Sequence, residues 1–300
     1  MSAQDDSIRP VLAATLGIAL FAAMDAVMKG GALAIGAYSA FLLRCLMGSL
    51  LLAPIWWWRT RVFPRGRVLR IHLVRGTVIA FMGWSFFASL VYLPLAEAIA
   101  ISFVAPLIAL YLARLLLGEV IRPRAVAGTI LGLVGVIVIV AGRIGRERLD
   151  GDAAFGIALV LVSAVLFAWN LILQRQQAQR ASPVEVAFFQ HLVMLGVFAL
   201  GAPWLATFPP LTAAPLVLLA ATLAFTSLAA LAWAYARAEA QRLIPVEYSA
   251  FVWAAIIGWL AFGEAVTLTT VAGALLIVIG CLIAARAKRA DLAHVEAGIA

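Results

Sequence analysis

The chain has 300 residues, of which 65% are hydrophobic and only 12% charged, and it carries a formal net charge of +8. A soluble domain cannot hide so much apolar surface, so the composition excludes a soluble enzyme or binding module and makes lipid the solvent for most of the chain. The positive charge alone would suggest a nucleic-acid partner, but its distribution along the chain favours membrane orientation instead.

Ten stretches are apolar enough to span a bilayer, since each spanning helix needs about 20 apolar residues. They lie at 11–29, 38–58, 70–92, 95–117, 124–142, 153–176, 184–203, 214–236, 241–262 and 266–285. The links between them are too short to hold a soluble domain. The first stretch follows Asp5 and Asp6 without a small-residue cleavage site, which predicts a retained helix rather than a signal peptide.

Most Lys and Arg residues fall on one side of this predicted topology. The second link, with Arg75 counted as part of this side, supplies the largest group: Arg59, Arg61, Arg65, Arg67, Arg70 and Arg75. Positive charge concentrates on the cytoplasmic side of membrane proteins. The distribution therefore predicts a bacterial-type inner-membrane protein with both termini in the cytoplasm.

One sequence unit occurs twice, with a separation of 145 residues. Gly118-Glu119 returns as Gly263-Glu264, Gly128 returns as Gly273, and Gly135 returns as Gly280. Each unit contains five predicted helices, and because five is odd the second unit enters the membrane from the opposite side. We therefore predict an all-α integral membrane fold of ten transmembrane helices as two inverted five-helix repeats, at 1–145 and 146–300.

The motif Ala-x-x-Ile-Ser-Phe-x-x-Pro-Leu at 98–107, followed by Leu-Gly-Glu at 117–119 and Gly128, resembles the EamA repeat of the drug/metabolite transporter superfamily. The second copy matches through Gly263-Glu264 and Gly273. The chain is also similar to bacterial amino-acid exporters of the YddG type, although no short motif fixes the substrate.

This resemblance implies a secondary transporter that exports small metabolites, amino acids with aromatic or other large apolar side chains included. It implies alternating access through a central cavity lined by helices 1, 3, 4, 6, 8 and 9, a membrane-lipid environment, and a monomer or weak homodimer. It implies no cofactor and no nucleic-acid partner. Nucleotide-like, vitamin-like or drug-like cargo stays open as an alternative, as does an integral-membrane enzyme.

Asp25, Lys29 and Arg44 are charged residues inside predicted helices 1 and 2. A charge within the bilayer faces the protein interior and pairs. One interpretation is an ion pair that locks the two helices together, with Lys29 reaching the interface at its helix end. The other is contact with a zwitterionic substrate, or a role in proton coupling. In the second repeat neutral Asn170 and Gln190 occupy the positions that match Asp25 and Arg44.

Polar and aromatic residues deep in helices 3, 4, 6 and 9 are the candidates for substrate contact, because aromatic faces suit apolar side chains and attract ammonium groups. They are Trp84, Ser85, Ser102, Trp169, Asn170, Glu247, Tyr248 and Trp253. For Glu247 the alternative is a pair with Arg242, Arg237 or His191, and for each tryptophan it is packing or lipid contact.

Several other features are assigned to structure. Pro106 and Pro245 are the predicted hinges, and because Phe251 replaces the second copy's matching proline we expect bends at different depths. Glu119 and Glu264 are expected to favour the N-terminus of the helix that follows each. Interfacial tryptophans are predicted at Trp56, Trp57, Trp58, Trp204 and Trp259, and glycine faces at Gly128, Gly132, Gly135, Gly273 and Gly280.

No nucleophile–base pair, catalytic pair of carboxylates or metal-ligand cluster is apparent in the sequence. His72, His191 and His294 are scattered, and Cys45 and Cys281 fall in separate spans. We therefore predict neither an enzyme nor a metal site.

Overall fold

The structure, a computed structural model, describes residues 8–59, 62–117, 123–144, 151–178, 180–207, 214–237, 243 and 246–297. Within these ranges the chain forms helices and turns and no strand. The helices are α1 (Arg9–Ile35), α2 (Ala37–Arg59), α3 (Gly66–Ser89), α4 (Leu95–Ser102), α5 (Ala105–Leu117), α6 (Pro123–Ile144), α7 (Gly151–Ala178), α8 (Pro183–Leu205), α9 (Ala214–Tyr235), α10 (Ala250–Phe262) and α11 (Leu268–Ala297).

Six of these helices, α1, α2, α3, α7, α8 and α9, are long and apolar enough to cross a membrane. Shorter apolar helices occupy the other predicted spans, at Leu95–Ala109, Val126–Gly142, Ala250–Phe262 and Leu268–Ile283. The predicted all-α membrane fold is therefore confirmed. The fourth span differs from the expectation of one continuous helix, because it is divided into α4 and α5.

The inverted repeat is visible in how the helices pair. Helix α1 packs against α9, where Ser227 Oγ donates to the carbonyl of Gly17 at 2.8 Å. Helix α3 packs against α7, where Ser163 Oγ donates to the carbonyl of Met82 at 2.9 Å. Since Met82 and Ser227 are separated by the repeat distance of 145 residues, the two contacts are equivalent, and each joins the first repeat to the second.

Helices α6 and α11 form the seam between the repeats. A Cβ atom added to Gly135 would lie 2.5 Å from the carbonyl oxygen of Gly273, and one added to Gly280 would lie 2.4 Å from that of Gly128. These contacts exchange under the repeat offset, so the seam crosses itself in two-fold fashion. The glycines pack the two halves together, which was one of the two roles expected for them.

The interruption of the fourth span recurs in the ninth. In the first repeat the amide of Phe103 donates to the carbonyl of Ala100, and in the second the amide of Ser249 donates to that of Val246, both within tight turns. The turns occupy residues 103–104 and 248–249, which are again separated by 145 residues.

The expectation that the two bends lie at different depths is therefore wrong. Pro106 does not set the position of the break by itself, because Phe251 stands at the matching place in the second repeat. Pro106 occupies the first turn of α5, where its missing N–H has no helical acceptor to lose. Pro245, the other predicted hinge, lies outside the described residues.

The interfacial tryptophans divide into two groups. Trp57, Trp58, Trp204 and Trp259 are exposed, as predicted for residues at a lipid interface. The prediction is wrong for Trp56, which is buried and stacks on Phe188 with ring centroids 4.9 Å apart. Its indole therefore joins α2 to α8.

The seam predicts a specific loss of stability. We expect Gly135→Ala and Gly280→Ala each to lower the free energy of unfolding by about 1–3 kcal/mol, because a backbone oxygen on the facing helix must move. Thermal unfolding of the purified protein in detergent measures the change. Gly196→Ala is the matched control, since a Cβ there meets nothing within 4 Å, and it should not destabilise. Equal midpoints for all three variants would contradict the close crossing.

Candidate functional site

The two helix breaks meet at the centre of the molecule. The rings of Phe103 and Tyr248 lie edge to face, with centroids 5.2 Å apart and an interplanar angle of 88°. These residues occupy matching positions in the two repeats, so their contact lies on the pseudo-two-fold axis. The Cys281 thiol, from α11, donates to the carbonyl of Phe103 at 3.3 Å.

Backbone groups freed by a break need partners inside a membrane. Ser102 Oγ, a predicted substrate ligand, donates to the carbonyl of Ile99 at 2.7 Å, within its own helix. Ser249 Oγ, at the second break, is buried and has no hydrogen-bond partner among the described residues. A buried polar atom of this kind is an attachment point for a ligand or an ordered water.

An aromatic cluster adjoins the breaks and joins α2, α3 and α8. Phe198 is its hub, with ring centroids 5.0 Å from Phe41, 5.1 Å from Tyr38 and 6.4 Å from Trp84. Trp84 is half-buried, and its indole Nε1 is a buried donor without a partner among the described residues. The cluster thus presents aromatic faces together with one available N–H group.

Arg44 lies beside this cluster. Its guanidinium stands over the Phe87 ring at 5.4 Å, and its Nε has no hydrogen-bond partner in the described part of the chain. Buried Asp25 and His191 both interact with it electrostatically. Neither is within ion-pair distance of Arg44, because the ion pairs formed by the described residues are Lys29–Glu264 and His72–Glu185. The acidic and basic groups therefore face one region without closing onto each other.

Lys29 departs from the expectations for it. Its Nζ forms an ion pair with Glu264 and donates to the carbonyl of Leu93 at 2.7 Å, and its side chain is buried. It therefore neither pairs with Asp25 nor extends to the lipid interface. The partner is 235 positions away in the sequence, so helical spacing could not indicate it.

Glu264 was expected to favour the helix that follows it. Gly263 ends α10 in a left-handed conformation with φ 67°, which turns the chain. The carboxylate of Glu264 then accepts from the amide of Leu95 at 2.8 Å, at the first residue of α4. Its role is structural, but it stabilises the N-terminus of α4 in the other repeat. Glu119, its counterpart, lies outside the described residues.

Glu247 does not join the central group. Its side chain is exposed, and it accepts a hydrogen bond from Tyr235 in the last turn of α9. Of the expected alternatives, Arg237 stacks on Trp233 at 4.3 Å and Arg242 lies outside the described residues. The assumption that Glu247 lies deep in the span was therefore wrong, because the helical segment is interrupted beside it.

The other predicted ligands are dispersed. Ser85 is buried on α3 and Trp253 is half-buried on α10. Trp169 is 41% exposed, whereas the adjacent Asn170 is buried, because successive helical residues point about 100° apart. The structure thus groups Trp84 and Tyr248 with the centre, and places Asn170 in a separate polar network.

That network contains Arg75, which the sequence analysis had assigned to the charged cytoplasmic side. Arg75 donates from Nε to Asn170 Oδ1 at 2.9 Å and from Nη1 to Gln177 Oε1 at 2.5 Å. Gln177 Nε2 contacts His72 Nδ1 at 2.7 Å, and His72 Nε2 contacts Glu185 at 3.1 Å. The position of Arg75 within the predicted span 70–92 was the signal that could have identified it.

A family comparison agrees with these features. The model of the EamA-like transporter family matches the chain twice, at residues 8–141 and 154–286. The chain belongs to the EamA-like transporter family. An EamA-like transporter is a multi-pass membrane protein, and the described helices and paired breaks fit that family.

Individual relatives are more distant. The chain is similar to the pseudopaline exporter CntI from two strains of Pseudomonas aeruginosa, with 27% identity over 283 residues, which covers 93% of this chain and 96% of each relative. A solved crystal structure matches with a TM-score of 0.62 at 23% identity, and it covers 93% of this chain and 97% of that one. The structural match supports the fold alone.

The Lys29–Glu264 pair carries a stability prediction. Removing one partner of a buried ion pair leaves an uncompensated charge, so we expect Lys29→Met and Glu264→Gln each to cost about 3 kcal/mol. Thermal unfolding of both variants and of the double variant gives the coupling energy, which we expect to reach about 1–3 kcal/mol. Strictly additive losses would show that the two side chains do not interact.

Proposed function

We propose that the chain exports small metabolites across a bacterial inner membrane by alternating access, with both termini in the cytoplasm. Amino acids with aromatic or other large apolar side chains are the proposed cargo, and the two repeats are the moving units. The observation that carries the proposal is the pair of helix breaks at matching positions, which meet at Phe103 and Tyr248. Discontinuous helices at a repeat interface are typical of substrate sites in secondary transporters.

The chemistry around the breaks fits such a cargo. Three buried donors lack partners among the described residues, and they belong to Arg44, Trp84 and Ser249. Arg44 and Asp25 offer opposite charges that do not pair directly, which suits the carboxylate and ammonium groups of a zwitterion. The aromatic cluster at Phe198 suits an apolar side chain.

Two polar contacts would act as gates. The Lys29–Glu264 pair joins α1 and α4 to the link before α11, on the predicted outer side. The His72–Glu185 pair joins α3 to α8, near the predicted cytoplasmic side. Breaking one while the other stays closed would expose the centre to one side at a time. If transport is coupled to protons, Asp25 is the central acid placed to carry them, whereas Glu247 lies at the edge.

A second candidate cargo comes from the relatives. Because they export pseudopaline, a metabolite of that kind is a specific alternative to amino acids. The broader alternatives are a nucleotide-like, vitamin or drug-like solute, and an enzyme. The family membership disfavours the enzyme.

Flux measurements in proteoliposomes separate these possibilities. Vesicles loaded with labelled phenylalanine, threonine, riboflavin or pseudopaline should release phenylalanine faster than protein-free vesicles. Release of pseudopaline or riboflavin alone would replace the amino-acid cargo. Release of none of the four would overturn the proposed function.

Trp84→Phe tests the central site without removing an aromatic ring. We expect the KM for phenylalanine to rise about 5- to 30-fold, since one buried hydrogen bond to the cargo, worth about 1–2 kcal/mol, is lost. Trp204→Phe is the matched control, because Trp204 is exposed at the end of α8. An unchanged KM in Trp84→Phe, at wild-type expression, would remove the indole from the site.

A further inference from the structure

Arg75 is a charged residue placed deep within a membrane span. It lies nine residues after the first residue of α3, or roughly 14 Å along the helix axis. It is 6% exposed. The residue is therefore well separated from the arginines at the start of α3, which orient the chain in the membrane.

The hydrogen bonds of Arg75 hold its guanidinium in place without neutralising it. Its partners are the side-chain amides of Asn170 and Gln177, which carry no charge. The nearest carboxylate of the network, Glu185, contacts His72 instead. The third nitrogen of Arg75, Nη2, makes no hydrogen bond to the described residues, and it is not among the sealed polar atoms.

Burial of a cation in a membrane protein is costly unless an anion or a water-filled space compensates the charge. Two neutral amides fix the orientation of the guanidinium, but they leave at least half of its donors and all of its charge available. This arrangement matches an anion-binding site more closely than a structural ion pair. A structural role would place a carboxylate where Asn170 stands.

A groove runs beside this residue. A cavity of about 670 Å³ lies between the first turns of α3 and the last turns of α7, and its lining is Gly66, Arg67, Arg70, Ile71, Val74, Leu173 and Gln176. Val74 precedes Arg75, and Leu173 lies one turn from both Asn170 and Gln177. The groove thus has two arginines at its predicted cytoplasmic end and an apolar floor that leads towards Arg75.

We propose that Arg75 binds the carboxylate of a small organic anion or zwitterion that enters through this groove, with Asn170 and Gln177 as positioning residues. The inference rests on the proposed export function and adds the chemical class of the cargo. A guanidinium binds a planar carboxylate through paired N–H groups, and one guanidinium balances a single negative charge. The apolar floor receives the rest of the molecule.

The test compares each carboxylate with its uncharged-acid counterpart. Thermal unfolding of the purified full chain is measured with phenylalanine and phenylalaninamide, and with benzoate and benzamide, at one fixed pH. We expect the carboxylates to raise the unfolding midpoint and the amides to have little effect. In Arg75→Gln the half-saturating concentration of the carboxylates should rise about 10- to 100-fold, as expected for one charge-assisted hydrogen-bonded pair.

Two further variants keep the result interpretable. Arg75→Lys retains the charge but not the paired donors, so it should fold and bind carboxylates with intermediate affinity. Arg70→Gln removes a charge from the groove wall alone, and it should bind carboxylates nearly as well as wild type. If wild type does not distinguish carboxylates from amides, or if Arg75→Gln and Arg75→Lys both bind as wild type does, the proposal is overturned. Phenylalanine efflux that persists without such discrimination would leave the transport function intact, whereas carboxylate binding without efflux would remove the function and keep the site.

Discussion

A backbone group inside a bilayer must find a hydrogen-bond partner within the protein, and this requirement governs the rest of the structure. Helices satisfy it automatically, so the two places where a helix stops within a span must be enclosed by other elements. The turns at 103–104 and 248–249 are enclosed by each other and by α11, whose Cys281 donates to the freed carbonyl of Phe103. An interruption facing lipid would be too costly to persist. The polar centre of the molecule follows from the position of the breaks.

The symmetry of the helix packing explains why the centre, and not the periphery, is suited to movement. Helices α6 and α11 approach each other at backbone distance through Gly135 and Gly273, which leaves little freedom along that seam. The equivalent pairs α1–α9 and α3–α7 each join one repeat to the other through a serine–carbonyl bond. Changes in conformation are therefore expected where the hydrogen-bond ladder is already interrupted, at the ends of α4 and α10. Polar gates on opposite sides, Lys29–Glu264 and His72–Glu185, suit a bend about those points.

The sequence was sufficient for the features that repeat or have a period. The apolar runs predicted the spans, and the 145-residue offset predicted equivalent halves, because duplicated sequences retain equivalent packing. It was insufficient where partners are far apart in the chain. Nothing local connects Lys29 with Glu264, or Arg75 with Asn170, so side-chain networks across the repeats could be named only after the helices were assembled. The depth of the breaks was mispredicted for a related reason: the proline pattern differs between the repeats, while the backbone positions are set by the symmetric environment.

The repeats are alike in backbone and unlike in charge, and this difference constrains the cargo. The first repeat contributes Asp25, Arg44 and Arg75 to the interior, while the second contributes the neutral Asn170 and Gln177. At the position matching Arg75, the second repeat has Ala220. A cargo without polarity would gain nothing from such an arrangement, since each buried charge has a desolvation cost that packing alone does not recover. A molecule with a carboxylate at one end and an apolar or ammonium group at the other would meet different chemistry on the two sides of the axis. The inverted fold supplies two equivalent routes of movement, and the unequal charges give the bound molecule one preferred orientation within them.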